Sequence, residues 1–337
     1  MRFHVFRCSF IVFAIFLTQG CNSLYKPIGS TLIAYSEDHA LPEFLETTDV
    51  DLACQSGTSL LPLLSSFSRV GTDTKKIEIS LYLLSAFCAE QQAHYFELLE
   101  NLSDQAKTYR QSISYSSLKK RAYQKAAKHQ LASYASTLAA FNYSAETSCP
   151  EFSRDLDEVL FLLGHLQGLE ALLNGGKSAG LISIPLNVSN DIYRAMACLD
   201  NKKWWGVPQV VEATLLIFLP ELDRTKSKIV DITIEESIAH GRQQGVPLAE
   251  TIALAAWEGQ GSTDKVKKLI QEHFQSLSTL KVDDKWLVIN NINNRHLQNR
   301  ADIFLLEQGK SIPPDIASAF RPIPETTSDI EFDLDDL

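Results

Sequence analysis

Residues Thr74–Glu100, TKKIEISLYLLSAFCAEQQAHYFELLE, decide the fold. Ile77, Leu81, Leu84, Cys88, Tyr95 and Leu98 recur three, four or seven apart, which places them on one stripe of an α-helix. Lys75, Lys76, Glu78 and Gln92 fall off that stripe, the pattern of a helix with one wet face.

The same period returns on both sides. Thr47-Thr48-Asp49 caps a helix over Leu52–Phe67 that ends near Gly71. Tyr115–Ala140 is basic early (Lys119, Lys120, Arg121) and alanine-rich later. Leu156–Leu173 is apolar almost all round, so it predicts the central, buried helix. Gly164 and Gly168 put two bare patches on one of its faces, and Asn174-Gly175-Gly176 supplies an end. Shorter helices follow over Asp191–Leu199, Gln209–Leu219, Lys226–His240, Leu248–Gly259, Thr263–Ser276 (capped by Ser262) and Trp286–Gln308. Their links are short and marked by Gly or Pro, which makes neighbours antiparallel. Only Leu181–Pro185 reads as a strand, and one strand makes no sheet. The expectation is an all-α protein of stacked antiparallel helical hairpins, a degenerate tetratricopeptide-like solenoid, as one domain over residues 39–310.

The ends read differently. Arg2 and Arg7 precede the short apolar run Phe10–Leu17, and Gly20 stands before Cys21, the anatomy of an export signal over residues 1–20. The run is too short to span a bilayer. A cysteine directly after the cut resembles the bacterial lipoprotein signal, in which that thiol is diacylated; Asn22 after it favours, by resemblance, the outer membrane. Residues 21–38 carry Pro27 and Gly29 without periodicity and read as a tether. Residues 311–337 read as a disordered tail, acidic from Glu325 onward.

Net charge is −10, and removal of Arg2 and Arg7 with the leader leaves −12. That argues against nucleic acid and against a surface held to anionic lipid by charge. In an oxidising compartment Cys54, Cys88, Cys149 and Cys198 permit two disulfides, and neighbouring helices suggest Cys54–Cys88 and Cys149–Cys198; four buried free thiols are the alternative. None has CxxC or CxxH spacing, so neither metal nor cofactor is expected.

Chemistry is sparse along the chain. Ala171–Ser178 (ALLNGGKS) fits a permissive phosphate-loop pattern, but the stretch before Gly175 is helical and no strand delivers the loop. No HExxH, GxSxG or paired-carboxylate arrangement stands out, and a non-enzymatic protein is expected. His165 reads as a core histidine with one hydrogen bond. His94, His129, His240, His273 and His296 read as scattered on polar faces, and Glu258 as a solvated residue beside a turn. Tyr193, Trp204, Trp205 and Trp257 are the suggestive side chains. Rings at hairpin ends line a groove for an apolar ligand or partner, or else plug the ends of the core.

Four features in order resemble the T-component lipoproteins (TatT) of tetratricopeptide-associated TRAP transporters. A lipoprotein signal comes first, then a short leader ending Ala34-Tyr35-Ser36-Glu37-Asp38. Arg194-Ala195, Leu199-Asp200 and an aromatic link closing on Gly206 follow midway. Last come Asn294-Arg295-His296-Leu297-Gln298-Asn299-Arg300-Ala301 and the pair Leu305-Leu306, similar to the family's N-x-x-A-Q-x-R-A helix with Leu297 in place of its Ala. The resemblance implies a lipid-anchored, all-helical homotrimer that docks a periplasmic substrate-binding protein. It also implies a small apolar or carboxylate ligand held or passed through an opening, with Asn294 and Arg300 structural or pore-facing. An envelope scaffold that assembles proteins without a small molecule is the alternative.

Overall fold

A computed structural model describes residues 25–185 and 187–320. The expected leader, Cys21 and the acidic residues from 325 onward lie outside the described residues. Within the described residues the regular elements are helices, with no strand. In chain order they are α1 (residues 25–35), which continues through a π-helical turn Ser36–Ala40 into α2 (Leu41–Leu45), then α3 (Val50–Ser66), α4 (Lys75–Gln105) and α5 (Tyr109–Ala140). There follow α6 (Asp155–Lys177), α7 (Asn187–Met196), α8 (Val207–Phe218), α9 (Val230–Gln243), α10 (Leu248–Gly259), α11 (Thr263–Ser276) and α12 (Leu287–Glu307). No described helix is long and apolar enough to cross a membrane.

Local signals explain the boundaries. The Asp49 carboxylate accepts from the Leu52 amide at 2.8 Å and starts α3. Gly71, in the left-handed region at φ 80°, turns the chain from the end of that segment toward α4. Helix α6 does not stop at Asn174 but runs through Gly175 and Gly176 to Lys177, and Leu181–Pro185 is irregular. Ala171–Lys177 is therefore helix, and the phosphate-loop pattern forms no loop. Two expectations for the ends change as well. The tether region is helical from residue 25, because Ile33 has a core to enter beside Leu64, Ile77 and Leu81. The start of the expected tail is packed too: Ile316 and Phe320 are buried, and Phe320 stacks on Phe274 at 5.6 Å.

Consecutive helices pack as hairpins: α3 on α4, α4 on α5, α5 on α6, then α8 on α9 and α10 on α11. Helix α6 is central, as its composition predicts; from Val159 to Leu169 every residue is buried. Its bare faces receive side chains, Thr137 against Gly164 and Tyr134 against Gly168. The disulfide Cys54–Cys88 joins α3 to α4, and Cys149–Cys198 joins the α5–α6 connection to the segment after α7; both have Cα atoms 5.4 Å apart.

The hairpins do not form an open stack. Helix α12 returns to lie against α2, α3 and α4. Asn299 donates to Gln91 at 3.2 Å, Gln105 to the Leu306 carbonyl at 2.6 Å, and Asn291 to the Thr48 carbonyl at 3.3 Å. This closure explains why the α4 stripe was only partly legible. Helix α4 is covered by α3, α5, α6 and α12 along different lengths, so Glu78 off the stripe is buried while Tyr95 on it is exposed. Glu78 is compensated there by Lys75 at 2.7 Å, Thr74 at 2.7 Å and Ser136 at 3.1 Å.

Candidate functional site

Because α12 closes the array, α4, α5, α6, α10 and α12 surround a chamber of about 490 Å³. That volume lies within the usual range for small-molecule sites. A second, apolar cleft of about 70 Å³ opens from its floor, walled by residues such as Leu84, Phe87, Leu163, Leu248 and Ile292. Glu90, Leu166, Glu170, Thr251 and His296 line both spaces and form the step between them.

The step is built on the two longest helices and the central one. Gln130, fully buried on α5, donates through Nε2 to Glu90 at 2.8 Å and to Glu170 at 3.1 Å. Asn174 on α6 donates to Glu90 at 2.6 Å and to Gln130 Oε1 at 3.1 Å. Gln167 Nε2 adds a bond to Glu170 at 3.2 Å. Two carboxylates from different helices are thus held together by three side-chain amides. His296 Nε2 is 3.8 Å from Glu90.

Burial pushes the Glu170 carboxyl up to about 8, and the charge of Glu90 beside it pushes the same way. Glu170 therefore keeps a proton at neutral pH. Burial also pushes the His296 imidazole down, against the pull of Glu90. Basic groups belong to the upper wall. Lys119 pairs with Glu100 at 2.6 Å and Glu97 at 3.8 Å, Arg300 pairs with Glu258 and Glu307, and Lys177 is exposed, its ammonium 5.3 Å from the Tyr123 ring. Chemically, the step presents a protonated Glu170 carboxyl linked to Glu90 through the shared Gln130 amide.

Of the residues expected to form a ligand or partner groove, Arg300 lines this chamber and Tyr193, Trp204, Trp205, Trp257 and Asn294 do not. Asn294 is half-buried on α12, away from it. Tyr193 bonds Asp223 at 3.4 Å on α7. Trp257 is buried on α10, its indole N–H donating to Asp231 at 3.3 Å. Trp204 and Trp205 are 3% exposed, and with Trp286 they interlock edge to face at 5.2 to 6.1 Å, plugging the core between hairpins. Their outer edges line a separate open cleft of about 600 Å³ with Lys203, Gln244 and Asp283. Trp257 instead lines a different pocket with Arg242, Lys265 and Leu269, and Tyr193 is not part of the Trp204–Trp205 cleft.

Other expectations shift. Glu258 is not merely solvated but pairs with Arg300 on the chamber wall, and His94 and His296 line that wall. His273 is buried against Glu250. His165 bonds the Phe161 carbonyl at 2.8 Å inside an aromatic box with Tyr134 and Tyr143, and burial pushes its imidazole down to about 4. The described residues contain no cluster of His, Cys, Asp or Glu suited to a metal ion. Sequence reading missed Glu90, Gln130, Gln167, Glu170 and Asn174. The available signal was polarity inside apolar helices, notably Gln167 and Glu170 within VLFLLGHLQGLEALL.

The chain matches no known protein-family profile, no curated protein and no solved structure.

Proposed function

We propose that the protein is a lipid-anchored periplasmic accessory of a TRAP-type solute uptake system, anchored through Cys21 in the outer membrane. It docks a substrate-binding protein as a homo-oligomer and holds a small ligand in its chamber. The observation that carries the ligand-holding part is the chamber itself: a space of about 490 Å³ with polar groups converging on its floor, walled by five helices. Anchoring, trimer formation and the transport partner rest on the resemblance of Cys21, Arg194-Ala195 and the Asn294–Ala301 run.

A scaffold that joins envelope proteins is the second reading, favoured by the open cleft of about 600 Å³ where the half-buried Trp286 lies beside Lys203 and Asp283, a surface that suits a protein partner. The test is a pull-down of the protein from envelope extracts, with mass spectrometry of the proteins and small molecules recovered. A periplasmic binding protein and a chamber-bound small molecule are expected. Outer-membrane assembly proteins alone, without a small molecule, would replace transport by the scaffold. Glu90 and Glu170 also have the form of a base beside an acid. Consumption of the recovered compound on incubation with the protein would turn a holding site into a converting one.

A further inference from the structure

We infer that the floor of the chamber is a site for an organic ammonium ion, with its nitrogen at Glu90, Glu170 and Gln167 and a short apolar group in the cleft beyond. This rests on the ligand-holding reading above and replaces the apolar or carboxylate ligand that the family resemblance implies.

The first ground is the balance of hydrogen-bonding groups. Glu90 and Glu170 are brought together without a Lys or Arg within ion-pairing distance of either. Of the chamber's strong cations, Lys119 and Arg300 are paired with wall carboxylates, and Lys120 and Lys177 are exposed, Lys177 acting on Glu170 through space without an ion pair to it. Each amide at the floor turns its N–H2 toward a carboxylate, so the lone pairs left over are acceptors.

The second ground is independent of the carboxylates. Gln167 is 5% exposed, and its Oε1 is shielded from solvent with no hydrogen-bond partner. An unpaired buried acceptor is costly, and this one lines the inner cleft next to Glu170. An ammonium group presents three N–H donors and no acceptor. One reaches Gln167 Oε1 and the others the two carboxylates, and its charge compensates the pair. A carboxylate or a hydroxyl ligand offers too few donors, and a carboxylate brings further negative charge to a site already built from two acidic side chains.

The third ground is shape. Past the step the wall is leucine, isoleucine and phenylalanine, and the cleft of about 70 Å³ takes roughly two waters' volume, hence a stub of two or three carbons. The chamber on the other side leaves room for the rest of the molecule.

The experiment is calorimetric titration of the full chain with n-propylammonium, butanoate and 1-propanol, which share a propyl tail and differ in the head group. The ammonium should bind at least about tenfold more tightly than either competitor. Glu90→Gln, Glu170→Gln and Gln167→Leu should each weaken it several-fold, in proteins whose helical circular dichroism matches wild type. The ranking on the unsubstituted protein stands even if a variant does not fold. Butanoate or propanol binding as tightly as the amine overturns the ammonium assignment and leaves the chamber a ligand site. Binding of the amine that none of the folded variants alters overturns its placement. No binding by any of the three overturns both the assignment and the chamber's holding role.

Discussion

His273 Nδ1 of α11 lies 2.6 Å from Glu250 Oε2 of α10, with both side chains almost wholly excluded from solvent. The other Glu250 oxygen accepts from Arg242 Nε of α9 at 2.5 Å, and Asn293 of α12 donates to Glu250 at 3.4 Å. One carboxylate thus ties together four helices, α9, α10, α11 and α12. Burial pushes it toward protonation, but His273 and Arg242 together outweigh that and hold it below the usual carboxylate range. Removing it strands buried partners. Glu250→Ala should cost about 3–5 kcal/mol in denaturant unfolding. Glu250→Gln, which keeps shape and one acceptor, should cost less. Equal, small losses in both would refute the account.

Glu170 predicts a pH signature. Its ordinary value of 4.5 applies to the unfolded chain, whereas in the fold it titrates at about 8. Between those pH values the unfolded state has released the proton and the folded state retains it. Stability contributed by this residue is therefore present below about pH 4.5, falls as pH rises through the window and levels off above 8. Glu170→Gln removes the titration. The unfolding free energy of the variant minus that of wild type should grow from about pH 5 to about pH 8, by on the order of a few kcal/mol. A difference that stays flat or shrinks would count against a protonated Glu170.

Gly206 closes the aromatic link at φ 77°, and a Cβ there would stand 2.8 Å from the Ser237 carbonyl oxygen and 2.9 Å from its Cα. Both are backbone atoms of α9 and cannot turn aside. Gly206→Ala should cost more than about 1 kcal/mol and loosen the Trp204–Trp205–Trp286 cluster. Near-ultraviolet circular dichroism reports those rings, and an unchanged spectrum with unchanged stability would oppose this reading.

The Cys149–Cys198 bridge closes a 49-residue separation around the central helix. Cys149→Ser with Cys198→Ser should lower stability by about 2–4 kcal/mol, mainly by freeing the unfolded chain. Wild type melted in a strong reductant should lose at least as much, since both bridges then open. Free-thiol counting on the unfolded, unreduced protein checks that the bonds form.

Secondary structure was legible because periodic apolar spacing is a local property. Leu248–Gly259 and Thr263–Ser276 have the same ends in sequence and structure, and the all-round apolar α6 declared itself central. The site was much less legible. Arg300 was singled out for its place in a helix motif, whereas Glu90, Gln130 and Glu170 stand 40 residues apart in steps and look like ordinary polar interruptions. The tryptophans drew attention through size, yet Trp204 and Trp205 spend that size on burial.

By itself, then, the sequence determined the helical class, the rank of α6 as core and the short links that make neighbours antiparallel, while it left the four cysteines open between two disulfides and free thiols. Only the tertiary structure decided that α12 comes back to α4, and with that closure the chamber, its amide-held carboxylates and the burial of Gln167. The reason is physical. Helix formation is governed by neighbours within one or two turns, while a cavity and the proton affinity of its walls depend on which distant faces meet and how much water they exclude.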